Sequence, residues 1–141
     1  MSTDDELPPD YRPTQDEPYM SPRQMAYFRR QLLQWQEELL AESQRTVQSL
    51  RDDNHPEVGD EADRAAREEM QALELRTRER YRKLLAKIDA ALERIADGSF
   101  GYCEETGEPI GVGRLLARPI ATLSVEAQER HEQRERQGLK G

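Results

Sequence analysis

A run of 38 residues, from Asp60 to Asp97, contains neither proline nor glycine and is dominated by alanine, leucine, glutamate, arginine and lysine. Those side chains lose little rotamer freedom in a helix, so the run reads as one uninterrupted α-helix. Asp60 stands at the N-cap position and Asp63 at the third helical position, where acidic groups accept from the free N–H groups of a first turn. Gly98 follows the run, at the place where a left-handed residue closes a helix. At ~1.5 Å per residue the helix would reach on the order of 50 Å, more than a domain this size spans. It must therefore project from the body or pair with a second helix.

The partner lies upstream. Ser21-Pro22-Arg23-Gln24 is a helix start, with serine as N-cap, proline at the first helical position and glutamine at the capping-box position. The apolar residues that follow, Met25, Phe28, Leu32, Trp35 and Leu39, recur at steps of three and four, the seam of a helix facing one other helix. Beyond Leu39 the seam thins to Val47 and Leu50. The second helix runs the other way, sparse at Ala62, Ala66, Met70 and Leu73 and dense at Tyr81, Leu84, Ile88, Ala91, Leu92 and Ile95. Between the two, RDDNHPEVG (Arg51 to Gly59) carries Pro56 and Gly59 and reads as the turn of an αα-hairpin. The pattern predicts a long antiparallel two-helix coiled coil.

The remaining stretches differ in texture. Residues 1–20 hold four of the eight prolines and few aliphatic residues, the composition of a mobile N-terminal tail, ordered only where Tyr11, Tyr19 and Met20 make contacts to the base or a partner. Between Ser99 and Thr122, four glycines and two prolines fall in 24 residues, which excludes a long helix and predicts short strands or turns of a β-hairpin knuckle. Ser124 then caps a polar last helix that ends at Gly138. The predicted organisation is a tail at 1–20, a coiled-coil hairpin at 21–98 with its tip at about 53–65, and a knuckle with a C-terminal helix at 99–141. The fold class is mainly α, on a small globular base.

Composition narrows the function. Hydrophobic and charged residues each make up 35% and mean hydropathy is −1.02, suited to a helical protein with a thin core. No apolar run approaches the ~20 residues of a membrane span and no signal-peptide pattern opens the chain, so a cytoplasmic protein is expected. The net charge of −8 argues against direct binding to nucleic acid. No phosphate-binding glycine loop, nucleophile elbow or Cys–His–Asx set is present, and a two-helix rod offers no water-excluded pocket. The chain is not expected to be an enzyme.

A small knuckle usually needs a staple. Cys103 lies three residues before Thr106, and Ser124 three before Ala127, the spacing of two C-x-x-C pairs with three of the four ligands missing. His55 and His131 are too isolated to complete a tetrahedral set. The expectation is no zinc, with Cys103 a small core residue and Phe100, Tyr102, Ile110, Leu115 and Leu123 packing in place of metal. At the hairpin turn, Glu57, Asp60, Glu61 and Asp63 cluster beside Ala65. Acids there complement the helix dipole, or they form an acidic probe carried far from the body. The bases Arg76, Arg78, Arg80, Arg82, Lys83 and Lys87 are either a solvated face paired with acids of the first helix or a docking surface.

Two stretches carry a resemblance. DRAA with LELRTRERYRK (Asp63–Ala66, Leu73–Lys83), and FGYCEETGEPIG with RLLARPIATL (Phe100–Gly111, Arg114–Leu123), resemble the DksA/TraR family of bacterial transcription factors. The similarity extends over residues ~19–138, FRRQLLQWQEEL included. It implies a regulator that enters the secondary channel of bacterial RNA polymerase without contacting promoter DNA. With the alarmone ppGpp it would destabilise open complexes, repressing ribosomal RNA promoters and activating those for amino-acid biosynthesis in the stringent response. The family's D-x-x-D-x-A tip motif falls on Asp60, Asp63 and Ala65, which would act near the polymerase active site. Arg80 matches a polymerase-binding arginine, and Lys87 and Arg118 match bases that contact ppGpp. The family's four zinc cysteines fall on Cys103, Thr106, Ser124 and Ala127, and a further ppGpp-contacting base is replaced by Gln128. The resemblance thus implies a cysteine-poor, zinc-independent member, a monomer that holds no cofactor of its own and has no membrane partner. A passive coiled-coil adaptor and a transcript-cleavage factor, the latter needing tip carboxylates that hold magnesium, are the alternatives.

Overall fold

A computed structural model describes residues 7–53 and 61–140. Its elements are four helices, α1 (Pro22–Asp53), α2 (Glu61–Asp97), α3 (Val112–Ala117) and α4 (Val125–Lys140). The chain is mainly helical, as its sequence pattern predicts. The greater part of the turn predicted between α1 and α2, with His55, Glu57 and Asp60, lies outside the described residues.

The ends of the long helices follow from their capping residues. The N–H of Gln24 donates to Ser21 Oγ at 3.2 Å, so Ser21 caps α1. Gln24 does not close a capping box onto Ser21, because its Oε1 reaches one residue further and accepts from the N–H of Met20 at 2.7 Å. At the other end of α2, Gly98 has φ +85°. The N–H groups of Gly98 and Ser99 donate to the carbonyls of Ile95 and Arg94, the paired bonds of a Schellman closure that satisfies carbonyls the helix leaves open.

The chain divides into two compact units, one of residues Leu33–Asp89 and one of the segments before and after them. In the Leu33–Asp89 unit, α1 and α2 run antiparallel. Gln36 Nε2 donates to Asp89 at 2.6 Å, the hydroxyls of Thr46 and Tyr81 lie 3.2 Å apart, and Arg51 Nε donates to Glu74 at 2.9 Å. Partners on α2 descend as those on α1 ascend, which fixes the register. Leu39, Val47, Tyr81 and Ile88 are buried along the seam, with Thr77 as a polar member. At the sparse end Ala62, Ala66 and Leu73 are exposed, so the seam loses its apolar filling there.

The other unit is built on Phe28, Leu32, Ala91, Phe100, Leu115 and Ala127, each at most 1% exposed. Phe28 and Phe100 pack with ring centroids 5.4 Å apart. The stretch after Gly98, expected as short strands or turns, is built mainly of turns. Among the described residues it holds one antiparallel bridge, Tyr102 with Pro109, supported by the N–H of Cys103 on Glu108 O and that of Ile110 on Gly101 O, both at 2.8 Å. VGRLLA then forms α3, a six-residue helix that buries Val112 and Leu115. Its glycine-rich flank reads as loop because Gly111, at φ +107°, sits outside the helix and leaves only six residues to signal it. α4 runs through Gly138 to Lys140, two residues past the expected stop.

Candidate functional site

The candidate residues fall into three places. The first is the start of α2, whose opening turn carries Glu61 and Asp63. Asp63 and Ala65 are both exposed there, and a carboxylate at that point faces the free N–H groups and positive end of the helix dipole. Asp60, the third member of the tip motif, lies outside the described residues.

The second place is the basic stretch of α2. Its six bases separate into two sets. Arg78 pairs with Glu74 at 3.0 Å, and Arg82 pairs with Glu79. Arg76, Arg80, Lys83 and Lys87 recur at steps of four, three and four, so they share one flank of the helix at ~100° per residue. Arg80 lies 5.6 Å from the centroid of the Tyr81 ring, a cation–π contact that orients its guanidinium. The acids that neutralise Arg78 and Arg82 come from α2 itself, one helical turn away, rather than from α1 as the pattern suggested. Arg51 makes a cross-helix pair, again to Glu74. Hydrogen bonds from Arg51 and then Arg78 hold the Glu74 carboxyl below its ordinary pKa, and Arg82 does the same for Glu79. Both carboxylates are therefore committed anions at neutral pH.

The third place is the knuckle. Its turn from Cys103 to Gly107 is closed by the N–H of Gly107 on Cys103 O at 2.9 Å, and the N–H of Glu104 reaches Thr122 O at 2.9 Å. Cys103 is 3% exposed. Burial pushes its thiol up, but hydrogen bonds from the Thr106 hydroxyl and from the backbone N–H groups of Ser124, Thr106 and Glu105 outweigh it and bring the pKa to about 6. Thr106 Oγ1 also accepts from the N–H of Glu108 at 3.2 Å. Ser124 Oγ accepts from the N–H of Ala127 at 3.2 Å, where it serves as the N-cap of α4. Ala127 offers a buried methyl group. One thiol, two hydroxyls already engaged and a methyl do not fit the four nitrogen or sulfur donors of a structural zinc ion. No group of three or more metal-binding side chains occurs among the described residues. Phe100, Ile110, Val112 and Leu115 are buried beside this set, while Tyr102 is 38% exposed and Leu123 half-buried. Arg118, exposed, is the C-cap of α3. Gln128, on α4, donates to Glu132.

The segment that secures the knuckle carries Tyr11, Tyr19 and Met20, the residues sequence reading offered as contacts of the N-terminal tail. Tyr19 Oη donates to Gly101 O at 2.6 Å and accepts from the N–H of Gly111 at 2.9 Å. Met20 takes the left-handed conformation, φ +51°, and seats its side chain so close to Gly101 that a Cβ there would come within 2.7 Å of it. Gln24, fully buried, donates to Thr14 O and Glu17 and accepts from Met20 N. Tyr11 donates to Glu17 at 3.0 Å under the guanidinium of Arg23, 4.4 Å from its ring centroid. The segment from Leu7 to Ser21 thus has specific partners in the folded unit.

Comparison with known families gives two matches. Residues 24–95 match the N-terminal domain of the DnaK suppressor protein DksA, and residues 98–133 match the prokaryotic dksA/traR C4-type zinc finger. The RNA polymerase-binding transcription factor DksA of Caulobacter vibrioides is 63% identical over 129 residues, covering 90% of this chain and 89% of that protein. Its namesake in Escherichia coli K12 is 45% identical over 129 residues, covering 90% of this chain and 83% of that protein. Among solved structures, transcription factor DksA2 from Pseudomonas aeruginosa superposes with a TM-score of 0.74 at 53% identity, covering 84% of this chain and 90% of that one.

Proposed function

The chain belongs to the DksA/TraR family, and on that premise we propose that it is a transcription regulator that binds bacterial RNA polymerase. The observation that carries the reading is the 63% identity, over nine-tenths of the chain, to a protein named for that activity. In this reading the α1–α2 hairpin enters the secondary channel. Asp60, Asp63 and Ala65 act near the polymerase active site, where a carboxylate at a helix start can bias a cation or a basic loop. Arg80 contributes to polymerase binding through the basic flank of α2. Lys87 and Arg118 supply positive charge to ppGpp at the polymerase rim. The protein regulates rather than catalyses, acts as a cytoplasmic monomer without touching promoter DNA, and does so without zinc, since the knuckle offers a single thiol.

Transcription from a ribosomal RNA promoter by purified bacterial polymerase tests the reading, with wild type and Asp63→Asn titrated in the presence and absence of ppGpp. Inhibition by wild type that deepens with ppGpp, and its loss in Asp63→Asn with binding retained, is the expected result. Equal behaviour of the two proteins would make the tip passive and refute the mechanism.

A further inference from the structure

The α1–α2 pair carries a cleft of about 400 Å³, lined by two of the six candidate bases, Arg78 and Arg82, and by none of Asp63, Arg80, Lys87 and Arg118. Its floor is Val47, Tyr81 and Leu85, the first two buried and the third half-buried. Its rim is Arg51, Arg78 and Arg82, and the exposed Gln44 stands at its mouth. Arg51 and Arg78 share one oxygen, Oε1 of Glu74, at 2.9 and 3.0 Å, while Arg82 has Glu79. Two carboxylates therefore serve three guanidiniums, and the rim keeps a positive charge in excess on a chain of net charge −8. Each guanidinium presents five donors in a fixed fork, of which these pairs use a part.

The cleft and the row of Arg76, Arg80, Lys83 and Lys87 lie on different sides of α2. Arg78, Arg82 and Leu85 recur at steps of four and three, roughly 160° round the helix from the row of Arg76, Arg80, Lys83 and Lys87. The buried row of Thr77, Tyr81 and Ile88 separates the two. An apolar floor beneath a cationic rim is complementary to an acidic peptide segment that presents one aliphatic or aromatic side chain. The side chain would fill the floor and its flanking carboxylates would take the open guanidinium donors.

We propose that this cleft is a second docking surface for RNA polymerase, receiving an acidic segment of the enzyme with an apolar anchor. The proposal rests on the polymerase-binding reading above and adds a contact on the flank opposite Arg80 and Lys87.

The test is binding of the labelled full chain to purified bacterial RNA polymerase by fluorescence anisotropy. Gln44→Trp fills the cleft from an exposed helix position, and Gln44→Glu places a carboxylate at its mouth without filling it. Arg80→Ala reports on the other flank, and circular dichroism confirms that each variant keeps its helix content. Both Gln44 variants are expected to bind about tenfold more weakly than wild type, the loss typical of a good interface contact. Wild-type affinity in both, with Arg80→Ala impaired, would overturn the cleft proposal and leave the polymerase reading standing. No binding by wild type would overturn both. Binding of free ppGpp to the chain alone, lost in Gln44→Trp but with polymerase affinity intact, would assign the cleft to a small anion and also overturn it.

Discussion

Replacing Tyr19 by phenylalanine removes one hydroxyl that bridges two corners of the knuckle, and its cost can be worked from the two bonds it makes. The hydroxyl donates to Gly101 O at 2.6 Å and accepts from Gly111 N at 2.9 Å. Gly101 O keeps the N–H of Ile110 at 2.8 Å, so that loss amounts to one ordinary net hydrogen bond, about 1 kcal/mol. The N–H of Gly111 is left without its partner in a half-buried turn, which costs a further ~1–2 kcal/mol. The sum, about 2–3 kcal/mol, should raise the exchange rate of the Gly111 amide by roughly 30- to 150-fold where exchange follows local opening. Amide hydrogen exchange followed by NMR reads this directly, and urea unfolding reads any global share. Burial also raises the Tyr19 phenol above its ordinary value of 10. The stability it contributes is present below that value and is lost as pH rises through the raised one, a loss the phenylalanine variant cannot show. Unchanged Gly111 exchange and an unchanged unfolding midpoint in Tyr19→Phe would refute the bracing role.

Three other outcomes follow from the same geometry. Gly101→Ala should destabilise the protein by about 1–3 kcal/mol in thermal or urea unfolding, because φ is +94° and the new Cβ would meet Met20 Cγ at 2.7 Å; a neutral result would mean that Met20 moves aside freely. Dialysis against a chelator should leave the unfolding midpoint where it was, since the Cys103, Thr106, Ser124 and Ala127 set does not fit zinc, and a drop of several degrees would show that a metal contributes. The lowered Glu74 carboxyl contributes stability above the ordinary glutamate value of 4.5 that is lost as pH falls below it. Glu74→Gln should therefore flatten part of the acid limb of the stability–pH curve, and identical limbs would show that the Arg51 and Arg78 pairs are thermodynamically silent.

Much of the fold was legible in the chain because it depends on local rules. A long run without proline or glycine, a serine–proline start and a terminal glycine specify helices from within a few residues of each boundary. The apolar periods of the two long runs, one thinning along the chain and the other thickening, specify that two helices pair and in which direction. Asp63, Arg80 and Lys87 stood out in the chain only as members of an acidic turn and a basic stretch, and the particular roles proposed for them come from the resemblance to the DksA/TraR family. The absence of zinc ligands required only the identities of Thr106, Ser124 and Ala127.

What lay beyond the sequence depends on contacts between residues far apart in the chain. That Tyr19 would bridge Gly101 and Gly111, some 80 and 90 positions away, leaves no periodic trace, and neither does the left-handed backbone of Met20. The N-terminal segment is polar and proline-rich, and its sequence marks Tyr11, Tyr19 and Met20 as possible contacts without their partners; the partners of Gln24, Glu17 and Tyr19 appear only in the folded unit. Charge pairing shows the same division. Sequence placed six bases on α2, but only the folded hairpin decided that Arg78 and Arg82 are paired with acids at the rim of an apolar cleft while Arg76, Arg80, Lys83 and Lys87 share the other flank. Helical period is a property of neighbours along the chain; the choice of partner is a property of the packed structure.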